Sequence, residues 1–266
     1  MKTLSSCLCM LFLAAGLPAE CAPTALINFN DIPALRDGPG KGHYALFQGK
    51  LFEVLVATNL DATIYPLVGG QRSDKPIVVK NFFPKPLTEL LFVSIVTPAP
   101  PAVNPSKLAF ELVSEKGIRL TQQWKISDGV LTVENRITGN VDLPPILRTG
   151  IQFPRVCTFT DALTRDLRAK AVEGCAVRWR AGNTESGMRV YTVPYAHRVE
   201  YLEHCDWMEH KGPWGTRKVT LKRTNLKGIF NLINPGYAAH GLLMHFITRP
   251  DARKKSELQG FELKLE

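Results

Sequence analysis

The sequence lacks the short motifs that mark several large enzyme classes. It has no glycine-rich phosphate loop, no Gly-x-Ser-x-Gly turn and no glycine pattern of a dinucleotide site. It also has no Cys-x-x-Cys pair, which excludes a zinc ribbon. No motif therefore points to a cofactor, and we expect none.

Helical periodicity is nearly absent, and the chain has no internal repeat or low-complexity tract. The segment 161–171, DALTRDLRAKA, is the one fair helix candidate. Short runs of alternating apolar and polar residues fill most of the remainder, separated by Gly, Pro, Asn and Asp. This pattern predicts an all-β fold, a large antiparallel β-sandwich with at most one or two short helices.

The clearest strand pair is a hairpin around the turn Ser-Asp-Gly at 127–129. Alternation runs through 118–126 before the turn and through 131–137 after it. One face of this hairpin is expected to lie on the core. Its members are Ile118, Leu120, Gln122, Trp124, Ile126, Leu131, Val133, Asn135 and Ile137.

An apolar stretch from about Leu4 to Leu17 is too short to span a membrane, and we expect no transmembrane segment. It follows Lys2 and precedes small residues, which is the layout of a secretory signal peptide. We therefore expect residues 1–21 to be a signal peptide, residues 22–266 to form one domain, and the protein to be exported to a periplasm or secreted. Lipid attachment at Cys21 is the alternative, although lipidated cysteines usually follow a small residue and not a charge such as Glu20.

Acidic residues are fewer than basic ones, with 24 Asp and Glu against 33 Lys and Arg and a formal net charge of +9. The basic residues are scattered without interleaved aromatic residues, which favours solvated faces over a nucleic-acid site. We expect no nucleic-acid partner. The charge leaves an anionic glycan or an anionic envelope open as a partner.

Cysteines are also few in the predicted mature chain. Beyond Cys21, at the predicted cleavage site, only Cys157, Cys175 and Cys205 remain. An oxidising compartment permits one disulfide among the three, and their wide spacing fits buried thiols equally well.

Three segments occur in an order that is similar to a known fold family. They are ATIYPLVGG at 62–70, GIRLTQQWKISDGVLTVENRITGN at 117–140 and LPPILRTGIQFP at 143–154. Together they resemble the galactose mutarotase-like supersandwich, which aldose 1-epimerases share with the C-terminal domain of large β-galactosidases. The resemblance covers roughly residues 44–160 and implies a carbohydrate bound on a concave sheet face.

The same resemblance assigns roles to individual residues. In the epimerases a histidine on the strand after the hairpin protonates the sugar ring oxygen, and a C-terminal glutamate takes the anomeric proton. The matching strand here holds Gln152 and no histidine, and an amide would bind a hydroxyl group without exchanging protons. In an enzyme the histidine would come from elsewhere, either from GHYALF at 42–47 or from YAHRVEYLEHCDW at 195–207. The preferred enzyme pairing is His204 or His210 with a C-terminal acid such as Glu262.

The segment YLEHCDWMEHKGPWG, residues 201–215, has three interpretations. His204, Asp206 and His210 could hold a metal, although spacing specifies no third strong ligand and we expect none. Either histidine could act as an acid or base, oriented by Asp206 or Glu209. The preferred interpretation is a binding loop. It places Trp207 in the core, on one strand with residues 197–206, and Trp214 at the surface, where an indole can stack on a sugar.

The leading prediction is thus an exported carbohydrate-recognising protein. Its expected ligand-binding residues are Arg148, Gln152, Arg180, Glu185 and Trp214. Glu185 enters because RWRAGNTESG resembles a β-galactosidase segment, and Arg180 because it alternates with Trp179, which is expected in the core. An aldose epimerase or glycan-processing enzyme with a His/Glu acid–base pair is the alternative, and an envelope scaffold protein is a third.

The predicted signal peptide can be tested on the exported protein. Intact mass or N-terminal sequencing should find a start between residues 20 and 23, because Ala19, Cys21 and Ala22 are the small residues that signal cleavage requires. A retained residue 1, or a diacylglyceryl mass on Cys21, would contradict this expectation.

Overall fold

A computed structural model describes most of the chain beyond residue 37. The described residues are 38, 41–57, 61–80, 92–96, 102–114, 119–127, 129–138, 147–189, 198–202, 205–224, 228–234, 241–248 and 256–266. The predicted signal peptide lies outside them. No helix in this part of the chain is long and apolar enough to cross a membrane.

Nineteen strands and two short helices occur within the described residues. In chain order the strands are β1 Ala45–Gln48, β2 Phe52–Val56, β3 Ala62–Val68, β4 Gln71–Arg72, β5 Ile77–Lys80, β6 Phe92–Val96, β7 Ala102–Val103, β8 Lys107–Ser114, β9 Arg119–Ser127, β10 Val130–Thr138, β11 Leu147–Gln152, β12 Ala176–Ala181, β13 Thr184–Arg189, β14 Arg198–Leu202, β15 Cys205–Lys211, β16 Lys218–Arg223, β17 Gly228–Asn234, β18 Leu243–Thr248 and β19 Ser256–Leu265. The helices are α1 Phe159–Leu163 and α2 Arg165–Ala171.

The strands form two sheets, which confirms the predicted all-β sandwich. The ten-stranded sheet has the order β14-β17-β18-β11-β5-β3-β2-β1-β7, with β4 beside β3. The nine-stranded sheet has the order β13-β12-β15-β16-β19-β10-β9-β8-β6. Among the described pairings, only β1 with β7 is parallel. Some neighbouring strands are distant in sequence, such as β5 with β11 and β10 with β19, so each sheet brings together residues from both halves of the chain.

One hydrophobic core joins the inner faces of the two sheets. Phe52, Ile64 and Ile151 contribute from the ten-stranded sheet, and Trp124 and Phe261 from the nine-stranded sheet. Apolar burial of this extent is the main stabilising contribution in a β-sandwich. The sandwich leaves each sheet with an outer face, on the side away from this core.

The predicted hairpin is confirmed as β9 and β10. Its register pairs Val130 with Ser127 across the turn. The core-facing set includes two polar residues, which are paired: Gln122 Nε2 donates to Asn135 Oδ1 at 2.7 Å, and Trp124 Nε1 donates to Gln122 Oε1 at 2.8 Å. Buried amides are stable in a core only when hydrogen bonded, so this chain of two bonds explains why polar residues continue an inward-facing pattern.

The predicted helix is present but interrupted. It begins at Phe159, two residues earlier than the periodicity indicates, because the Thr158 hydroxyl caps it by accepting from Asp161 N at 3.1 Å. Thr164 adopts an extended conformation, with φ −89° and ψ 120°, and divides the segment into α1 and α2.

The prediction of one strand through residues 197–207 is wrong. Arg198–Leu202 is β14 of the ten-stranded sheet, whereas Cys205–Lys211 is β15 of the nine-stranded sheet. The chain changes sheet between them, so the inward and outward alternation starts again in β15. Met208 and His210 consequently face the core, and Trp207, predicted inside, is only half-buried.

Candidate functional site

A pocket of about 500 Å³ lies where β5 begins and β11 ends. Two short segments form it, one before and within β5 and one after β11. Its lining residues are Asp74, Lys75, Pro76, Val78, Gln152, Phe153, Pro154 and Arg155. This volume lies within the range of small-ligand pockets. Of the residues predicted to bind a ligand, Gln152 is the one that lines it.

The floor of the pocket is the outer face of the ten-stranded sheet. Gln152 pairs directly with Val78 in the register of β11 and β5, and Val78 pairs with Thr63 of β3. All three are half-buried, while their strand neighbours Val79 and Ile151 are fully buried. Directly paired residues share a face, so Gln152 presents its amide beside an apolar valine on the solvent side.

Trp214 supports the pocket from behind. Its side chain is 1% exposed, and its Nε1 donates to the Lys75 carbonyl oxygen at 2.8 Å. Nearby, Arg217 Nε donates to the Leu67 carbonyl oxygen at 2.7 Å. The connection between β15 and β16 therefore crosses from the nine-stranded sheet and fixes the backbone of a pocket-lining segment. The prediction that Trp214 is exposed is wrong, because its side chain is buried and its indole N–H donates to a backbone carbonyl.

His210 also lies behind the pocket wall. Its ring stacks on Phe153 with centroids 4.4 Å apart and an interplanar angle of 29°, and meets the Trp214 ring edge-on at 5.5 Å. Its register partners are Val177 and Val219. Burial in these surroundings disfavours the imidazolium and lowers the pKa of His210 from 6.5 to about 3. This lowered pKa argues against His210 as the acid or base that the sequence left open.

Two glycines make this arrangement possible. A Cβ on Gly212 would lie 2.5 Å from the Trp214 ring and 2.6 Å from His210 Cε1, so any side chain there would displace both rings. Gly241 has φ +82°, and a Cβ on it would lie 2.3 Å from the Phe153 carbonyl oxygen. Phe153 N in turn donates to Leu242 O at 2.7 Å, which fixes the other lining segment.

The acids near His210 in sequence pair with cations and not with the imidazole. Arg223 Nη2 donates to Asp206 Oδ1 at 2.7 Å, and this bond, with a second from Gly182 N, holds the pKa of Asp206 below its usual range. Burial raises the pKa of Glu209, but hydrogen bonds from Lys218 and Arg178 outweigh it and leave that pKa lowered. Within the described residues, no three His, Cys, Asp or Glu side chains are placed to hold a metal ion.

Three other predicted residues lie on the outer face of the nine-stranded sheet. Their register partners form one row across this sheet. The row runs Glu185, Arg180, Trp207, Lys222, Glu262. Arg180 and Glu185 are exposed, and Glu262 is half-buried. Trp179, predicted in the core, is partly buried and packs against it.

The catalytic pairing of His210 with Glu262 is not supported by this geometry. His210 pairs with Val219, and Val219 with Leu265, all on the inner face. Glu262 alternates with the buried Phe261 and Leu263 and therefore lies on the outer face. An acid and a base on opposite faces of one sheet cannot serve the same sugar carbon.

Some predicted residues lie wholly or partly outside the described residues. His204 is one of them. Arg148 lies in β11 opposite Ile247, but its side chain is not described, and the same holds for the side chain of Cys205. Their predicted roles, and the possible disulfide, stay predictions.

The pocket contains two cations that the sequence reasoning missed. Lys75, whose side chain is 30% exposed, forms an ion pair at 3.5 Å with Asp74, and Arg155 is exposed. The half-buried thiol of Cys157 lies close by. Burial first and then Asp161 raise its pKa, while Arg168, Lys75 and Arg155 oppose the rise. These three cations therefore lie within electrostatic reach of one thiol. In the sequence, the signal that these two loops have a fixed backbone was the proline in each of them, Pro76 and Pro154.

Known structures share this architecture. A provisionally named aldose 1-epimerase from Escherichia coli K12 superposes with a TM-score of 0.52 at 9% identity, over 84% of this chain and 98% of that one. The ligand-free α-N-acetylgalactosaminidase of Bifidobacterium bifidum gives a TM-score of 0.51 at 7% identity, over 83% of this chain and 35% of that one. No family model matches the sequence, and no curated protein matches it.

The chain therefore has the β-supersandwich fold of the aldose 1-epimerase structure. This confirms the resemblance inferred from the three sequence segments. At such low identities the likeness establishes the supersandwich fold and does not carry residue roles into this chain.

The burial of the two tryptophans makes a testable contrast. Trp214→Ala should destabilise the supersandwich by about 3 to 5 kcal/mol, because it leaves a cavity, whereas Trp207→Ala should cost about 1 to 2 kcal/mol. Trp214→Phe should cost about 1 to 3 kcal/mol, since the Lys75 carbonyl loses its donor. Equilibrium urea unfolding measures all three. A larger loss for Trp207→Ala than for Trp214→Ala would contradict the described packing.

The environment of His210 predicts a pH dependence of stability. The unfolded chain takes up a proton at this histidine near pH 6.5, whereas the folded protein does so only near pH 3. The contribution of His210 to the free energy of unfolding should therefore be fully present above pH 6.5. It should fall by about 1.4 kcal/mol per pH unit on acidification towards pH 3. His210→Phe should remove that part of the slope. Urea unfolding between pH 5 and 7.5 measures this slope, and His43→Gln, at a half-buried histidine, is the control. A slope in His210→Phe equal to that of the unsubstituted protein would contradict the prediction.

Proposed function

We propose that this protein is an exported carbohydrate-recognising protein and that its sugar site is the pocket at Gln152. The observation that carries the proposal is the pocket itself, on the outer face of a sheet in a galactose mutarotase-like supersandwich. The predicted signal peptide supports export.

The lining chemistry suits a saccharide. A pyranose presents apolar C–H faces and a ring of hydroxyl groups, so its site needs apolar surface beside fixed donors and acceptors. Val78, Pro76 and Pro154 supply the apolar surface. The Gln152 amide offers two donors and an acceptor, and Lys75 and Arg155 offer further donors.

The rigidity of the pocket favours binding. The Lys75 backbone is fixed by Trp214 Nε1, and the Lys75 amide N donates to Ser73 Oγ at 3.1 Å. The opposite wall, at Phe153, is bonded to Leu242 and stacked on His210. A site whose backbone is already ordered loses less entropy when a ligand binds.

The proposal is tested by binding of a saccharide panel with one matched pair of variants. Calorimetry and tryptophan fluorescence should both report binding, because the Trp214 indole is hydrogen bonded to a lining residue. Gln152→Ala should weaken affinity about tenfold, the value of roughly one hydrogen bond. Gln123→Ala is the control, since Gln123 is also a half-buried strand glutamine but lies on the nine-stranded sheet.

Two outcomes would count against the proposal. One is the absence of binding to neutral, acidic and amino sugars alike. The other is a loss of affinity on Arg180→Ala with none on Gln152→Ala, which would move the site to the nine-stranded sheet. Polarimetry on fresh α-glucose and α-galactose adds a check on the enzyme alternative. A binding protein leaves the spontaneous rate unchanged, and an accelerated rate would indicate an epimerase.

A further inference from the structure

We propose that the pocket selects saccharides that carry a carboxylate, with Lys75 and Arg155 as the groups that bind the acid. This inference rests on the proposed function, because it names the class of sugar that the same pocket takes. It depends on the charges placed around the pocket and not on the fold.

The charged lining of the pocket is unequal in sign. Lys75 and Arg155 bring two positive charges, and Asp74 brings one negative charge. The Asp74 carboxylate is 84% exposed and its contact with Lys75 is 3.5 Å long, so solvent screens this pair strongly. A ligand carboxylate inside the pocket would meet Lys75 in a less hydrated setting, where the attraction is stronger.

The two cations come from opposite walls. Lys75 precedes β5 and Arg155 follows β11, and these strands are hydrogen-bonded neighbours. Arg155 and Lys75 both act electrostatically on the Cys157 thiol beside the pocket, so both cations lie near this one group. A guanidinium can bind both oxygens of a carboxylate at once, and an ammonium adds a third donor.

The net charge of the lining favours a monoanion. Two cations with one acid leave one unbalanced positive charge, which one carboxylate neutralises. A phosphate monoester carries close to two negative charges near neutral pH and would exceed that balance. The formal net charge of +9 for the whole chain also attracts an anionic ligand from a distance.

The test compares sugars that differ only at one carbon. Galacturonate with galactose, and glucuronate with glucose, are titrated by calorimetry at low and at high salt. The acid should bind at least tenfold more tightly than its neutral partner, and the difference should shrink as salt screens the charges. Galactose 6-phosphate, with close to two negative charges, should bind more weakly than galacturonate. Galactose 6-sulfate is a monoanion like galacturonate and tests the preference for a planar carboxylate, so it should bind no more tightly.

Variants identify the groups responsible. Lys75→Gln and Arg155→Gln should each reduce the preference for the acid about tenfold, and Lys75→Gln keeps the backbone carbonyl that Trp214 binds. Lys107→Gln removes one exposed charge from the nine-stranded sheet and should change nothing. Asp74→Asn should tighten binding of the acid, a gain that a misfolded variant cannot produce.

The outcomes separate this inference from the proposed function. Equal affinity for acid and neutral sugar, sensitive to Gln152→Ala, would overturn the inference and leave the sugar site in place. Tighter binding of the phosphate or sulfate would overturn the assignment to a carboxylate. Binding of no saccharide at all would overturn both.

Discussion

The hydrogen bond from the Trp214 indole to the Lys75 carbonyl oxygen links the two sheets at the point where the pocket forms. Trp214 lies between β15 and β16 of the nine-stranded sheet, and Lys75 lies just before Pro76 and β5 of the ten-stranded sheet. The rings of His210 and Phe153 pack around this contact. The absence of a side chain at Gly212 leaves space for the rings of His210 and Trp214. A buried indole N–H requires an acceptor, so the bond fixes both the core and the lining segment.

This constraint separates supporting residues from binding residues. His210 and Trp214 have the chemistry of a sugar site, yet their side chains face inward and set the shape of the pocket wall. The groups that can meet a ligand are the Gln152 amide and the charged side chains of Lys75 and Arg155. Arg180, Glu185 and Glu262 lie on the opposite outer surface of the sandwich, where ion pairs such as Arg178 with Glu209 hold neighbouring strands together.

Local pattern predicted the fold better than it predicted the site. The β9–β10 hairpin was predictable because its period of two continues without interruption on both sides of a recognisable turn. The burial of Trp207 was overestimated because the chain changes sheet before Cys205, and no residue type marks such a crossing. The burial of Trp214 was missed because its indole bonds to Lys75, which is 139 residues away in sequence. Gln152 was found through a family resemblance. Lys75 and Arg155 were missed because they come from loops about 80 residues apart that only the β5–β11 pairing brings together.

The central claim is that the ligand-binding surface is the pocket between β5 and β11. A crystal structure of the mature protein soaked with galacturonate tests it most directly. The account predicts density for the sugar against Val78 and Gln152, with its carboxylate within 3.2 Å, the usual limit for such hydrogen bonds, of Lys75 Nζ or the Arg155 guanidinium. Density against Arg180, Trp207 and Glu262 on the nine-stranded sheet would contradict it.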